Sequence, residues 1–273
     1  MNIYDPTIFS DPLNWENSNS RVSSFVTKAE HFANNKRRGE PYLEKYKFLG
    51  EKIIKTSEII YIDTPGLEKF ENKKILVIGA GPTTNWYDWD PNKYDYIFSC
   101  NHFFLNKKIQ GIKIDLAIIG SEVDIERKEF VDYVSKNETI IGLEDYQQPV
   151  DKVKRLQSKI NNTFFPFVIR FQGKIGVAPK LIVLATLLGA SHVDYVGVDG
   201  LPKGYKKGDE SEHSFQPLKR ITVDHPYEMT NNHYKCLKKY LKEIRLATHF
   251  QGKDVVYNNL GEGHEQNVMS TLR

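Results

Sequence analysis

The sequence predicts an α/β protein built on a single doubly wound, mostly parallel sheet, and three observations carry that expectation. From Lys73 onward, short β-branched and aliphatic runs alternate with helical patterns, the order of a parallel sheet crossed by helices. The first run, Ile75–Ile78, is continuously apolar, as a strand buried on both faces must be. It ends in Gly79-Ala80-Gly81-Pro82-Thr83-Thr84, where glycines allow a sharp turn and a proline can open a helix.

The elements follow in order. Residues 1–20 are polar and without a period, which suits an extended arm. Arg21–Ile60 carries apolar residues at helical spacing (Val22, Phe25, Ala29, Phe32, then Tyr42, Tyr46, Leu49, Ile53), interrupted near Asn34–Pro41. Two amphipathic helices are expected there, so that 1–72 forms a helical N-terminal extension and 73–273 the sheet domain. Strands are expected at Ile75–Ile78, Tyr94–Cys100, Ile114–Ile119, Glu138–Gly142, His192–Val198 and Asp254–Tyr257. Thr163–Arg170 reads as an edge strand, because Pro166 cannot donate within a central ladder. Helices are expected at Asp124–Ser135, Asp151–Lys159, Gly176–Leu188 (apolar on more than one face) and Glu228–Thr248. Residues 200–226 break the alternation with a polar, glycine-punctuated insertion leaving the carboxyl end of a strand. Ligands bind at such strand ends in open α/β sheets, so a lid is expected there.

Composition excludes several classes. A net charge of +3 and a pI near 8.6 do not point to nucleic acid. No apolar run approaches the roughly 18 residues of a membrane span. The start, MNIYDPTIFSDPLNW, lacks a charged-then-apolar signal pattern, so a cytoplasmic protein is expected. Two cysteines, Cys100 and Cys236, supply neither a disulfide framework nor a zinc site.

The glycine turn suggests a phosphate-binding strand–loop–helix, with the Thr83 and Thr84 hydroxyls beside free backbone amides. It does not fit a nicotinamide site. Thr84 stands where the third glycine belongs, and the second strand ends in Cys100-Asn101-His102 with no ribose-binding carboxylate. Asn101 can hydrogen-bond a ribose or a base edge, and His102 can line the same site. Asp199, in Gly197-Val198-Asp199-Gly200, stands at another strand end and can either contact a nucleotide or cap a turn. Asp88-Trp89-Asp90 invites comparison with a metal-holding Asp-x-Asp, on a surface already rich in charge. Of the histidines, His225 closes the insertion just before a helix and is the expected general base, with His213 in the insertion as its rival.

Taken together, these pieces resemble the bacterial sialyltransferases of glycosyltransferase family 42. The residues are Gly79-Ala80-Gly81-Pro82-Thr83, Cys100-Asn101-His102-Phe103, Gly176 opening an apolar helix, Gly197-Val198-Asp199, Tyr205 and His225, in that order across roughly residues 73–260. The resemblance implies a Rossmann-like fold and an inverting transferase with no essential metal and no cofactor beyond its CMP-sugar donor. By the same likeness Gly79–Thr83, Asn101, His102, Gly176, Asp199 and Gly200 would hold the donor. Tyr205 would hydrogen-bond the leaving phosphate and His225 would deprotonate a glycan acceptor. Ala80 replaces the family's asparagine, Leu201 stands in place of a second phosphate tyrosine, and Lys174-Ile175 replaces Thr-Ser. These departures leave sialic acid open against another acidic sugar. Arg170 and Lys174 are candidates for a donor carboxylate. The chain is similar, more loosely, to a family of motility-associated glycosylation factors and a pterin pyrophosphokinase. That activity would need ATP, magnesium and convergence of Asp88, Asp90 and Asp199. A non-catalytic nucleotide-binding scaffold is the third reading. Peripheral membrane contact and homo-oligomer formation stay open.

Overall fold

A computed structural model describes residues 53–56, 59–62, 67–143, 150–162, 164–166, 176–250 and 255–261. Two short strands come first, β1 (Ile53–Thr56) and β2 (Ile59–Ile62), paired antiparallel with Thr56 opposite Ile59. This corrects the expected helix through Ile53. Isoleucine-rich runs on either side of two polar residues favour a hairpin over the 3.6-residue period. Within the rest of the expected helical extension, residues 67–72 are described, with a single helical turn at Glu68–Phe70, and residues 1–52, 57–58 and 63–66 lie outside the described residues.

The main sheet holds β3 (Lys74–Ile78), β4 (Tyr96–Cys100), β5 (Leu116–Ile119), β6 (Ile140–Leu143), β7 (Phe164–Pro166), β8 (His192–Val196) and β9 (Val256–Asn259). Their order is β7-β6-β5-β4-β3-β8-β9, and every pairing is parallel. The α/β Rossmann-like architecture expected from the sequence is therefore present. β7, with Pro166, is an edge strand as expected. Its expected continuation to Arg170 lies outside the described residues.

Helices cover the sheet. They are α1 (Thr83–Trp86), α2 (Lys128–Asn137), α3 (Val150–Lys159), α4 (Val177–Leu187) and α5 (Pro226–Phe250). Ile75, Leu76, Val77 and Ile78 are fully buried at the centre. Each such side chain contributes ~1.5–3 kcal/mol from burial. α4 packs on β3, β4, β8 and α5, and its Leu181, Ile182, Val183 and Ala185 have no exposed surface. It stops at Gly189 (φ 78°), whose amide donates to Thr186 while Ala190 donates to Ala185. This paired C-terminal cap needs a left-handed residue. On α5, Tyr234, Leu237 and Leu241 are buried against the core.

Two consequences position the site. The chain runs outward from β3 to β7, then crosses back to lay β8 on the other side of β3. The switch point therefore lies between the carboxyl ends of β3 and β8, where a crevice opens in sheets of this kind. In addition, the 200–226 insertion folds back as an antiparallel loop. Glu210 pairs with Arg220, and backbone bonds join Gly208 to Ile221 and Ser211 to Lys219. Among the described residues, no helix is long and apolar enough to cross a membrane.

Candidate functional site

At the β3–β8 switch point, the two strand ends are locked together by short polar contacts. The Gly79 amide donates to Val196 O at 2.8 Å, and the Gly81 amide to Gly197 O at 2.7 Å. Gly197 takes φ 69°, and a Cβ there would stand 2.1 Å from Thr84 Oγ1, so only glycine fits this approach. Asp199, 8% exposed, then reaches across. One carboxylate oxygen accepts the Thr83 amide at 2.9 Å and the other accepts the Thr83 hydroxyl at 2.5 Å. Thr83 Oγ1 in turn accepts the Gly197 amide at 3.0 Å. The Thr84 hydroxyl donates to Gly79 O.

These bonds change the meaning of the glycine loop. From Gly79 to Thr84, every backbone amide except that of Ala80 already has a protein acceptor, and Pro82 has none to give. The amide and hydroxyl expected to face a ligand anion are taken by the protein's own carboxylate. α1 is also a single turn. Expected as an anion cradle, the loop is a self-satisfied corner in which Asp199 is the anion. Gly81 and Gly261 are needed around it, since a Cβ on either would come within 2.4 Å of the Asp199–Thr83 pair.

Outside this corner lies a cleft of about 600 Å³, within the usual range of small-molecule sites. It is lined by Ala80–Thr83, Asn101, Gly176, Asp199, Gly200 and Tyr205, as the sequence predicted. Three expected residues do not line it. Gly79 lies beneath the loop, bonded to β8. His102 is 7% exposed, packed near Gln216, and burial lowers its pKa. His225 is exposed, and its carbonyl accepts the Met229 amide in the first turn of α5. The expected base therefore stands outside the cleft. The helix itself does reach the cleft, through Met229, Thr230 and Tyr234, but His225 before it is not in the lining.

The cover supplies what His225 does not. Ser214 fastens it to the glycine loop, its amide donating to Ala80 O at 2.8 Å and its hydroxyl to Gly81 O at 2.6 Å. Phe215 beside it is 1% exposed. The insertion is thus a lid seated on the loop, and it brings Glu212, His213, Lys219 and Arg220 into the lining. Burial first, then the Lys219 charge, pushes His213 down to about 4, so its ring is neutral at pH 7. The Gln216 amide donates to His213 Nδ1 at 3.1 Å, which leaves the ring proton on Nε2. His213 is therefore a hydrogen-bond donor at neutral pH. Burial, then the nearby Glu212 carboxylate, raises the Tyr205 phenol above its ordinary value, so it too stays protonated.

Asn101 sits at the end of β4 with φ 52°, a left-handed conformation that asparagine tolerates. Its Oδ1 accepts the Gly120 amide at 2.9 Å and its Nδ2 donates to Glu122 at 2.6 Å. The other Glu122 oxygen accepts from Lys219 Nζ at 2.9 Å, tying the lid to the sheet. Burial raises the pKa of Glu122, but the Lys219 hydrogen bond and charge outweigh it and hold the carboxyl below its ordinary range. Cys100, also in the lining, is pushed up to about 12 by burial and stays a thiol.

Asp88 and Asp90 lie in the turn after α1, exposed and outside the lining; Asp90 caps a short helix by accepting the Asn92 amide. They do not converge with Asp199. Among the described residues, no group of three or more His, Cys, Asp or Glu side chains is placed to hold a metal ion. Sequence reasoning had passed over Glu122, Glu212, Lys219, Arg220 and the exposed Trp86 at the rim. Only the folding of the insertion identifies the lid residues, and their sequence carries no period that would have announced it. No protein-family model and no curated protein sequence matches this chain.

Proposed function

We propose that this chain is a glycosyltransferase that moves an acidic sugar from a CMP-linked donor to an acceptor hydroxyl, with inversion and without a metal. The observation that carries the reading is the cleft itself. It opens at the β3–β8 switch point and is roofed by a lid that presents Tyr205, Glu212 and His213 together. The donor lies against Ala80–Thr83, Asn101, Gly176 and Gly200. The reading carries with it a cytoplasmic enzyme whose partners are a nucleotide sugar and a glycan.

The chemistry has two requirements. The acceptor oxygen attacks the anomeric carbon while the bond from that carbon to the phosphate oxygen breaks. The hydroxyl proton must go to a base, and CMP leaves with the electron pair. Glu212, a carboxylate in the lining, takes the proton. The Tyr205 hydroxyl and His213 Nε2–H donate to the phosphate oxygen as its charge develops.

CMP release from CMP-sialic acid, with a lactose-type acceptor present, tests this. Glu212→Gln is expected to lose about 10²–10⁴ in rate, and His225→Ala to keep wild-type turnover. Retained turnover in Glu212→Gln with loss in His225→Ala would return the base to His225. No CMP release by the wild type from any CMP-linked acidic sugar would end the transferase reading.

A further inference from the structure

We infer that the anionic part of the ligand is held by the lid, through Lys219 and Arg220, and not by the glycine loop. This rests on the nucleotide reading above and names the phosphate subsite within it.

Two observations meet here. First, the loop has almost nothing left to offer an anion. Among its amides only that of Ala80 is uncommitted, and the Thr83 amide and hydroxyl are occupied by the buried Asp199 carboxylate. A second anion placed there would face that buried carboxylate, a repulsive arrangement. Second, Lys219 and Arg220 are the only lysine or arginine side chains among the described residues that line the cleft, and they are consecutive in the lid. Both keep room for a ligand. The Lys219 side chain is 32% exposed while bonded to Glu122, and that of Arg220 is 70% exposed, with one contact to Gly208 O at 3.1 Å and Glu210 at 3.9 Å. Glu122, already paired on one side with Asn101, fixes the position of the Lys219 ammonium at the cleft lining.

The cleft is therefore polarised. Its sheet side carries a fixed internal negative charge and its roof carries the cations. A CMP-linked donor turns its phosphate to the roof, beside Tyr205 and His213, and its uncharged rings toward the sheet side. Phosphate binding then holds the lid down, since the cations belong to the lid itself.

Calorimetric titration of the full chain with CMP, cytidine and inorganic pyrophosphate tests the assignment. Wild type is expected to bind CMP about 10–100-fold more tightly than cytidine, the range for one or two charge-assisted hydrogen bonds. The preference should shrink as salt rises. Lys219→Met with Arg220→Met is expected to bring CMP down to the cytidine value while leaving cytidine unchanged. The charge-keeping pair Lys219→Arg with Arg220→Lys should retain most of the preference, which guards against misfolding as the cause. A CMP preference that survives in the methionine pair, or CMP and cytidine binding equally to wild type, overturns the subsite. Pyrophosphate binding that depends on the two cations, with no CMP binding, upholds the anion site and rejects the nucleotide reading. No binding by any of the three rejects both.

Discussion

Replacing Asp199 by asparagine takes one acceptor out of the corner that joins β3 to β8. The wild-type carboxylate receives two hydrogen bonds from Thr83, at 2.9 Å and 2.5 Å, in a site 8% exposed. An amide keeps one acceptor and turns an NH₂ group toward the other Thr83 donor. The loss is about one charge-assisted bond, ~1.5–3 kcal/mol, plus the cost of leaving a buried donor unmatched, ~1 kcal/mol or more. We expect Asp199→Asn to be destabilised by roughly 2–4 kcal/mol in urea unfolding, with the slope unchanged and the midpoint lowered. Thr83→Val should cost a similar amount, because it also strips the Gly197 amide of its acceptor. In the double variant the two losses should overlap by at least about 1 kcal/mol, the signature of one shared network. If Asp199→Asn stays within about 0.5 kcal/mol of wild type and loses CMP binding instead, the carboxylate is a ligand contact and the account of the loop is wrong.

Three further expectations follow from single contacts. Leu218 sits at φ 67° in the turn closed by the bond from the Lys219 amide to Gln216 O, and it is 73% exposed. Leu218→Gly should therefore be neutral to stabilising by up to about 1 kcal/mol, the left-handed penalty less the glycine entropy, as read from the unfolding midpoint. His213 has a folded pKa near 4 against 6.5 unfolded, so the unfolded chain binds more protons between those values. Stability should rise with pH from about 4 to about 6.5 and the slope should flatten in His213→Gln, as followed by unfolding across that window. Glu122 is shifted downward as well, to the same effect. Its lowered pKa contributes stability above the ordinary carboxylate range that is lost as the pH falls through the folded value, and Glu122→Gln should remove that acid-side dependence.

The sheet was legible because parallel strands are buried on both faces and leave unbroken apolar runs such as Ile75–Ile78. The edge position of β7 followed from one residue, Pro166. The hairpin of β1 and β2 was missed because Ile53 also completes a helical spacing with Tyr42, Tyr46 and Leu49, and the neighbouring isoleucines were outweighed. At the site, Ala80–Thr83, Asn101, Asp199 and Gly200 were readable, since they follow strand ends, whereas Glu122 after β5 was passed over. The role of Asp199 was not, because its partner Thr83 is 116 positions away and no local pattern couples them. Choosing between His213 and His225 was equally out of reach. It depends on how the insertion pairs Gly208–Ser211 with Lys219–Ile221, and that pairing rests on a few backbone bonds in a polar, glycine-broken stretch. The insertion could be seen as a lid; which of its side chains faced inward could not.

The claim that the cleft at the β3–β8 switch point is a CMP site is tested most directly by a thermal-unfolding panel of CMP, ATP with magnesium, and NAD. A ligand held only by the folded state adds ~2.7 kcal/mol at a hundred times its Kd. At roughly 2–4 °C per kcal/mol for chains of this size, that is a rise of about 5–10 °C in Tm. The account predicts this rise for CMP and little for NAD or magnesium-ATP. A rise with magnesium-ATP and none with CMP would contradict it.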